Sequence, residues 1–171
     1  MKLSIGDFFI RGFCEADLDG LCRSFGNPNV TRMLREIPSP YTESHARDWV
    51  EITCDEHPLR HFAIASPDQL IGGLGFKFQP GVYAHTAEIG YWLNEPYWGR
   101  GIATEAVRTM TAYAFDKFDL VRIYAAVFES NPASERVLEK AGYRLDGRLR
   151  KNVKKNGKLL DELIYSRLCD E

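Results

Sequence analysis

Apolar and polar positions along this chain change period several times, and each change marks an element. Phe8-Phe9-Ile10-Arg11-Gly12-Phe13 is short, aromatic and β-branched, and reads as a first strand. From Ala16 to Phe25 the period becomes helical: Leu18, Leu21, Cys22 and Phe25 share a face, and Asp17 lies near the start, where the helix dipole favours an acid. Asn27-Pro28-Asn29 interrupts that pattern, Val30 to Arg35 forms a short second helix, and Pro38-Ser39-Pro40 forces a loop. Thr42 is placed to cap a third helix running to about Glu56, with Ala46, Trp49, Val50 and Thr53 on its buried stripe and Pro58 beyond its end. His61 to Ala65 and Leu70 to Phe78 then flank the turn Ser66-Pro67-Asp68-Gln69 as a hairpin, and Thr86 to Leu93 is a further strand after the break at Pro80-Gly81.

The second half is as regular. Ala106, Val107, Met110, Tyr113, Ala114 and Phe118 keep a helical period from Thr104 to Phe118, and Arg122 to Phe128 reads as a strand. Asn131 to Ala141 is a helix closed by Gly142, where a left-handed cap residue belongs. Tyr143 to Val153 and Leu159 to Leu168 are joined by Asn156-Gly157, a type I′ hairpin signal. Helices and strands interleave without repeats, which predicts an α/β fold with a mixed, twisted sheet flanked by helices.

With 171 residues and no composition break, one domain over residues 1–171 is expected. Apolar residues at 44% and charged residues at 27% are the proportions of a chain that folds into a globular domain. The formal net charge of -2 gives no bulk reason to expect a nucleic-acid or anionic-membrane partner. Arg148, Arg150, Lys151, Lys154, Lys155 and Lys158 make a local basic run, but Asp146, Asp161 and Glu162 flank it and no stacking aromatics interleave, so it reads as a solvated face. Cys14, Cys22, Cys54 and Cys169 lack C-x-x-C pairing. They read as reduced thiols, and with no leader-like apolar core near Met1 and no run of about 18 apolar residues, the cytoplasm is the expected location. Pro58 separates Cys54 and His57 from His61, so no metal site is expected.

The stretch richest in chemistry is Pro96-Tyr97-Trp98-Gly99-Arg100-Gly101-Ile102-Ala103-Thr104, between a strand and a strongly periodic helix. Without side chains at Gly99 and Gly101 the backbone can approach an anion, and the positive end of the following helix adds to the attraction. A Walker loop needs G-x-x-x-x-G-K-[ST], which the chain lacks, and the dinucleotide fingerprint needs glycine where Thr104 stands. The segment resembles the acetyl-CoA loop of the GNAT acetyltransferase superfamily, [Q/R]-x-x-G-x-[G/A], with Gly101 and Ala103 matching and Trp98 at the Gln/Arg position.

Two more segments carry the resemblance. Asn131 to Tyr143 resembles the family's helix that opens on Asn and ends on a Gly-aromatic pair about eleven residues later, and Ala87-Glu88-Ile89-Gly90-Tyr91-Trp92-Leu93 resembles the strand before the loop. Together they are similar to the Rim-type, ribosomal-protein N-terminal acetyltransferases. The resemblance implies a mostly antiparallel sheet of six or seven strands, the acyl-CoA N-acyltransferase fold, splayed between the fourth and fifth strands. It implies acetyl-CoA as cosubstrate and no metal. Backbone groups of Ile89, Tyr91, Trp92 and Leu93 would meet the pantetheine, and Gly99, Arg100, Gly101, Ile102, Ala103 and Thr104 the pyrophosphate, with Asn131 and Ser134 as further coenzyme contacts.

Acetyl transfer to an amine needs a neutral nucleophile, a polarised thioester carbonyl and a proton for the leaving thiolate. Glu88, on the strand before the loop, is the candidate base, and its bland alternative is a polar residue on a half-exposed strand. Family members resemble one another in placing a Tyr seven residues after the helix-opening Asn, where this chain has Leu138. Ser134 carries the nearest hydroxyl and is the candidate acid, against the alternative of an ordinary first-turn residue. The acceptor is expected to be an amine-bearing molecule, with a protein N-terminus ahead of a polyamine, an aminoglycoside or an amino acid. Residues 33–41, 79–85 and 151–158 are the segments expected to shape its pocket. A coenzyme A-binding sensor without turnover is the non-enzyme alternative, and a homodimer is compatible with the sequence.

Overall fold

A computed structural model describes residues 1–171. Its strands are β1 (Lys2–Ile5), β2 (Phe8–Arg11), β3 (His61–Ala65), β4 (Leu70–Phe78), β5 (Thr86–Leu93), β6 (Arg122–Phe128), β7 (Arg144–Lys155) and β8 (Lys158–Leu168). Its helices are α1 (Leu18–Phe25), α2 (Pro28–Thr31), α3 (Glu43–Cys54), α4 (Ile102–Lys117) and α5 (Pro132–Lys140). The strands hydrogen-bond in the order β1-β2-β3-β4-β5-β6-β8-β7. β5 and β6 run parallel, whereas β1–β2, β2–β3, β3–β4, β6–β8 and β7–β8 are antiparallel.

There are eight strands where six or seven were expected. The additional one is β1, joined to β2 by a two-residue turn in which Gly6 adopts φ +60, a conformation that a glycine at the first turn position supplies. Leu3 and Ile5 are too few apolar residues to announce a strand by period, yet Ile5 is buried. The third helix ends at Cys54, short of the expected Glu56. The Glu56 carboxylate instead accepts the backbone N–H groups of Arg60 (2.7 Å) and His61 (3.1 Å), fixing the entry to β3.

The chain divides into two compact units, residues 1–75 with 91–103 and residues 76–90 with 104–171. In the first, Phe13, Leu21, Ala46, Val50, Ala63 and Leu70 form a buried cluster against which Phe25, Tyr41, Trp49 and Trp92 pack. Helices α1 and α3 thus bury their apolar stripes on β3 and β4. Backbones come close here: a Cβ on Gly72 of β4 would lie 2.5 Å from the Trp92 carbonyl oxygen and 3.2 Å from the Leu93 Cα.

In the second unit α5 is closed at both ends. Asn131 accepts at its Oδ1 from the Ser134 N–H (3.3 Å), capping the start. At the other end Gly142 adopts φ +91, its N–H donates to the Glu139 carbonyl, and the Tyr143 N–H donates to the Leu138 carbonyl, both at 3.0 Å. These are the two bonds of a Schellman motif. The Arg167 guanidinium adds a bond to the Ala141 carbonyl (3.0 Å), a cation where the helix dipole is negative. The hairpin β7–β8 turns at Asn156 (φ 49) and Gly157 (φ 78), the two positive values that type I′ requires.

Gly72→Ala is expected to lower stability by roughly 1–3 kcal/mol, because the methyl meets main-chain atoms that cannot rotate away. Gly147→Ala, whose added Cβ meets nothing within 4 Å, serves as the control. Thermal melts of the two variants check the contrast, and equal midpoints would contradict it.

Candidate functional site

The chain leaves β5 at Leu93 and reaches α4 at Ile102 through a loop that is anchored at nearly every step. The Asn94 N–H donates to the Ile71 carbonyl (2.8 Å), and Glu95-Pro96-Tyr97 forms one 3-10 turn. The Glu95 carboxylate accepts from the side-chain amides of Asn27 (2.9 Å) and Asn29 (3.1 Å to each oxygen). Those bonds, Asn27's first, hold the Glu95 pKa below its ordinary value. Asn27 also caps α2 through its Oδ1, so the turn before α2 and the loop after β5 share one polar junction. The Tyr97 hydroxyl accepts from Gln69 (3.1 Å), and the Trp98 indole N–H donates to the Leu93 carbonyl (2.7 Å). Trp98, the residue at the Gln/Arg position of the resemblance, therefore ties the loop back onto the strand it has just left. Apart from the Trp98–Leu93 bond, these partners lie far apart in the chain, and the sequence offers no sign of the anchoring.

Beyond Trp98 the backbone turns twice through the left-handed region, at Gly99 (φ +72) and Gly101 (φ +78), and α4 follows at once. The helix starts at Ile102, not near Thr104, so Ala103 and Thr104 lie in its first turn, among the N–H groups that have no partner inside a helix. A Cβ on Gly99 or Gly101 would meet no protein atom within 4 Å. Glycine is thus required here by backbone conformation, and the space beside it is open. A helix start preceded by such a turn can hold an anion through its amides. Arg100 lies between the two glycines, its guanidinium 5.6 Å from the Tyr97 ring and 5.7 Å from the Phe8 ring.

On the strand side, the parallel β5–β6 ladder covers three residue pairs, Thr86↔Arg122, Ala87↔Ile123 and Glu88↔Tyr124. β5 continues to Leu93 and β6 to Phe128, so the ladder ends where the sheet is expected to splay. Ile89 and Leu93 are buried, Tyr91 and Trp92 half-buried, and Gly90 is exposed with nothing within 4 Å of an added Cβ. Glu88 is half-buried, and the hydroxyl of its register partner Tyr124 accepts from Gln79 (3.0 Å).

Asn131 and Ser134 are brought together in the capped first turn of α5. Leu138, at the position of the family tyrosine, is fully buried and serves packing. One pair escaped the sequence reading: the Tyr165 hydroxyl donates to Glu135 (3.0 Å), the residue next to Ser134. Burial, and then the Glu135 carboxylate, push that hydroxyl's pKa up to about 12.

The acetyltransferase (GNAT) domain matches residues 7–144. The chain belongs to the GNAT acetyltransferase family. An uncharacterized N-acetyltransferase, p20, of Bacillus licheniformis is 34% identical over 161 residues, 91% of this chain and 89% of that protein. The ribosomal-protein-serine acetyltransferase of Escherichia coli is 33% identical over 110 residues, 64% of this chain and 60% of its own length. Among solved structures, a GNAT-family acetyltransferase from Bacillus anthracis superposes with a TM-score of 0.87 at 28% identity, covering 100% of both chains. A spermidine N-acetyltransferase from Vibrio cholerae has a TM-score of 0.82 at 20% identity over 96% of each chain, which shows the shared fold. This GNAT protein is therefore an N-acetyltransferase, and the family uses acetyl-CoA.

Acetyl-CoA is expected to raise the melting temperature, since a ligand that binds the folded state stabilises it by mass action. Gly101→Val should abolish that rise, because the branched side chain both opposes φ +78 and fills the open space beside the helix start. A thermal-shift series with acetyl-CoA, ATP and NAD checks this. Acetyl-CoA alone should act on the native chain, and an undiminished shift in a folded Gly101→Val variant would remove that residue from the site.

Proposed function

We propose that this GNAT enzyme transfers the acetyl group of acetyl-CoA to the α-amine of a polypeptide N-terminus, by direct attack within a ternary complex. The observation that carries the cofactor half is the pair of left-handed glycines opening directly onto the first turn of α4, beside space that no protein atom fills. In this reading the amides of residues 99–104 hold the pyrophosphate, as oriented donors that need no reorganisation when the anion arrives. Backbone groups of Ile89, Tyr91, Trp92 and Leu93 extend the sheet onto the pantetheine in the manner of an added strand, which the early end of the β5–β6 ladder supports. Asn131 spends its Oδ1 on capping α5, so its contribution to the coenzyme is the amide Nδ2.

The polypeptide acceptor is favoured by the likeness to the ribosomal-protein-serine acetyltransferase, while a spermidine acetyltransferase shares the fold, so a small amine is the competing outcome. Glu88 takes a proton from the acceptor ammonium, directly or through water. The freed amine nitrogen attacks the thioester carbonyl carbon, the new C–N bond forms, the C–S bond breaks with its electron pair on sulfur, and the nitrogen gives up its second proton to solvent to leave the neutral amide. Ser134 donates a proton to that sulfur and is reprotonated from solvent. Transfer in the cytoplasm, by a chain acting as one domain, completes the proposal.

Glu88→Gln and Ser134→Ala are expected to fail differently. A peptide α-amine titrates near roughly pH 8, so loss of the base should be largest at neutral pH and shrink as the pH rises and the amine deprotonates unaided. Ser134→Ala should lower turnover roughly 10-fold to 1000-fold at every pH, with the KM for acetyl-CoA little changed, because the donor acts as the thiolate forms. Thiol release across pH 6–10, with peptides and spermidine as acceptors, checks both. Spermidine outpacing every peptide would overturn the acceptor assignment, and a rise in acetyl-CoA KM with turnover intact would make Ser134 a coenzyme contact.

A further inference from the structure

Charge is distributed unevenly between the β7–β8 hairpin and the rest of the chain. Residues 144–158 carry seven Lys or Arg against the single carboxylate of Asp146, in a protein whose formal net charge is -2. This segment lies outside the residues matched by the GNAT domain, apart from Arg144 at its edge. Arg148 is engaged at the hairpin base, pairing with Glu129 and Asp161 at 2.5 Å each, and Lys155 lies over the Phe128 ring at 5.9 Å. Arg150, Lys151, Lys154 and Lys158 are exposed nearer the tip. Leu159, 55% exposed, is the register partner of Lys154 and shares its face, whereas Leu149 pairs with Glu162 on the opposite one. β7 is the last strand in the sheet order, so its outer edge faces no further strand of this chain.

The hairpin is fastened to the turn that carries Ser134. The Glu129 N–H donates to the Asp161 carbonyl (3.1 Å), and the Asp161 N–H donates to the Glu129 Oε1 (3.0 Å). Six residues further along the chain, Glu135 receives the Tyr165 hydroxyl bond. The β8 positions 161 and 165 thus hold both sides of the Asn131–Ser134 turn, and the basic tip extends from Asp161 by about five residues, roughly 15 Å of strand. An extended peptide whose amine reaches Ser134 covers that distance with its first four to six residues.

We infer that the β7–β8 hairpin selects acceptors, and that the polypeptide N-termini this enzyme acetylates are acidic within their first several residues. The inference rests on the polypeptide reading and narrows it to a substrate class. Carboxylates of the acceptor meet Lys154 and, around the end of the hairpin, Lys151 and Lys158, while an apolar side chain of the acceptor covers Leu159 on the face of Lys154. A nucleic acid fits less well, since no aromatic residue occurs between Tyr143 and Tyr165 on which a base could stack. Lysines also guard exposed strand edges against aggregation, a role that would leave acceptor choice indifferent to charge.

The test uses the full chain with acetyl-CoA and two eight-residue peptides with free N-termini, one bearing four aspartates at positions 3–6 and the other four serines there. The aspartate peptide should have a kcat/KM about 10-fold higher at low salt, the sum of three exposed ion pairs of ordinary strength, and the advantage should shrink as salt screens it. The combined Lys151→Glu, Lys154→Glu and Lys158→Glu variant should invert the preference, and the corresponding Gln variant should level it, both with an unchanged KM for acetyl-CoA. Equal use of the two peptides by the native enzyme, or an unaltered preference in the folded variants, would overturn the inference. So would a raised acetyl-CoA KM in the variants, which would assign the lysines to the coenzyme's phosphates. Acetylation of neither peptide, with spermidine accepted, would overturn the polypeptide reading itself. Inhibition of the serine peptide by single-stranded RNA or anionic vesicles, relieved in the Glu variant and without an aspartate preference, would assign the hairpin to those partners instead.

Discussion

A helix begins with backbone N–H groups that have no acceptor inside it, and a protein must cap them, solvate them or present them to a ligand. α5 takes the first course, with Asn131 accepting the Ser134 N–H. α4 is built otherwise. It is entered through Gly99 and Gly101, both left-handed and both lacking a side chain that could reach back as a cap. The amides at this helix start are what the cofactor reading depends on, and much of the surrounding structure can be understood as holding them in place.

That holding is done by polar bonds, most of them between segments far apart in sequence. Glu95 gathers the amides of Asn27 and Asn29, Tyr97 receives Gln69, and Trp98 returns its indole N–H to Leu93. A loop with two flexible glycines would otherwise sample many conformations, and ordering it on binding would cost free energy that a fixed loop has already met on folding. The close approach of Gly72 to the Trp92 carbonyl extends the same restraint into the sheet. Trp98 departs from the polar residue of the family pattern, and its indole anchors the loop to Leu93; in the proposed reading, anion contact falls to the backbone.

How much of this the sequence disclosed follows from how local each interaction is. The boundaries of β3, β4, β5 and β6 and the type I′ turn at Asn156-Gly157 were legible because period and turn chemistry are local properties. So was the closure of α5 at Gly142. β1 was missed because it offers only Leu3 and Ile5 as apolar residues, and its strand state comes from pairing with β2. The apolar stripe of α4 becomes regular near Thr104 and places the expected start there, whereas the helix begins as soon as Gly101 has turned the chain. The glycine loop, Asn131 and Ser134 were visible as motif, but the Glu95 junction and the Tyr165–Glu135 bond join residues about 30 to 70 positions apart and leave no periodic trace. Residues 151–158 are among the segments expected to shape the acceptor pocket, and in sequence the charges of the basic run read as a solvated face. Its charges are exposed as expected, and what the sequence alone could not convey is that β8 fastens that hairpin to both sides of the Asn131–Ser134 turn.

The most direct test of the account is a titration of the 15N-labelled protein with coenzyme A, followed through its backbone amide resonances. If the helix start holds the pyrophosphate, the amides of Gly99, Gly101, Ile102, Ala103 and Thr104 should show saturable shifts that are among the largest in the spectrum, consistent with new hydrogen bonds to an anion. Saturable binding that moves other resonances and leaves those five in place would contradict it.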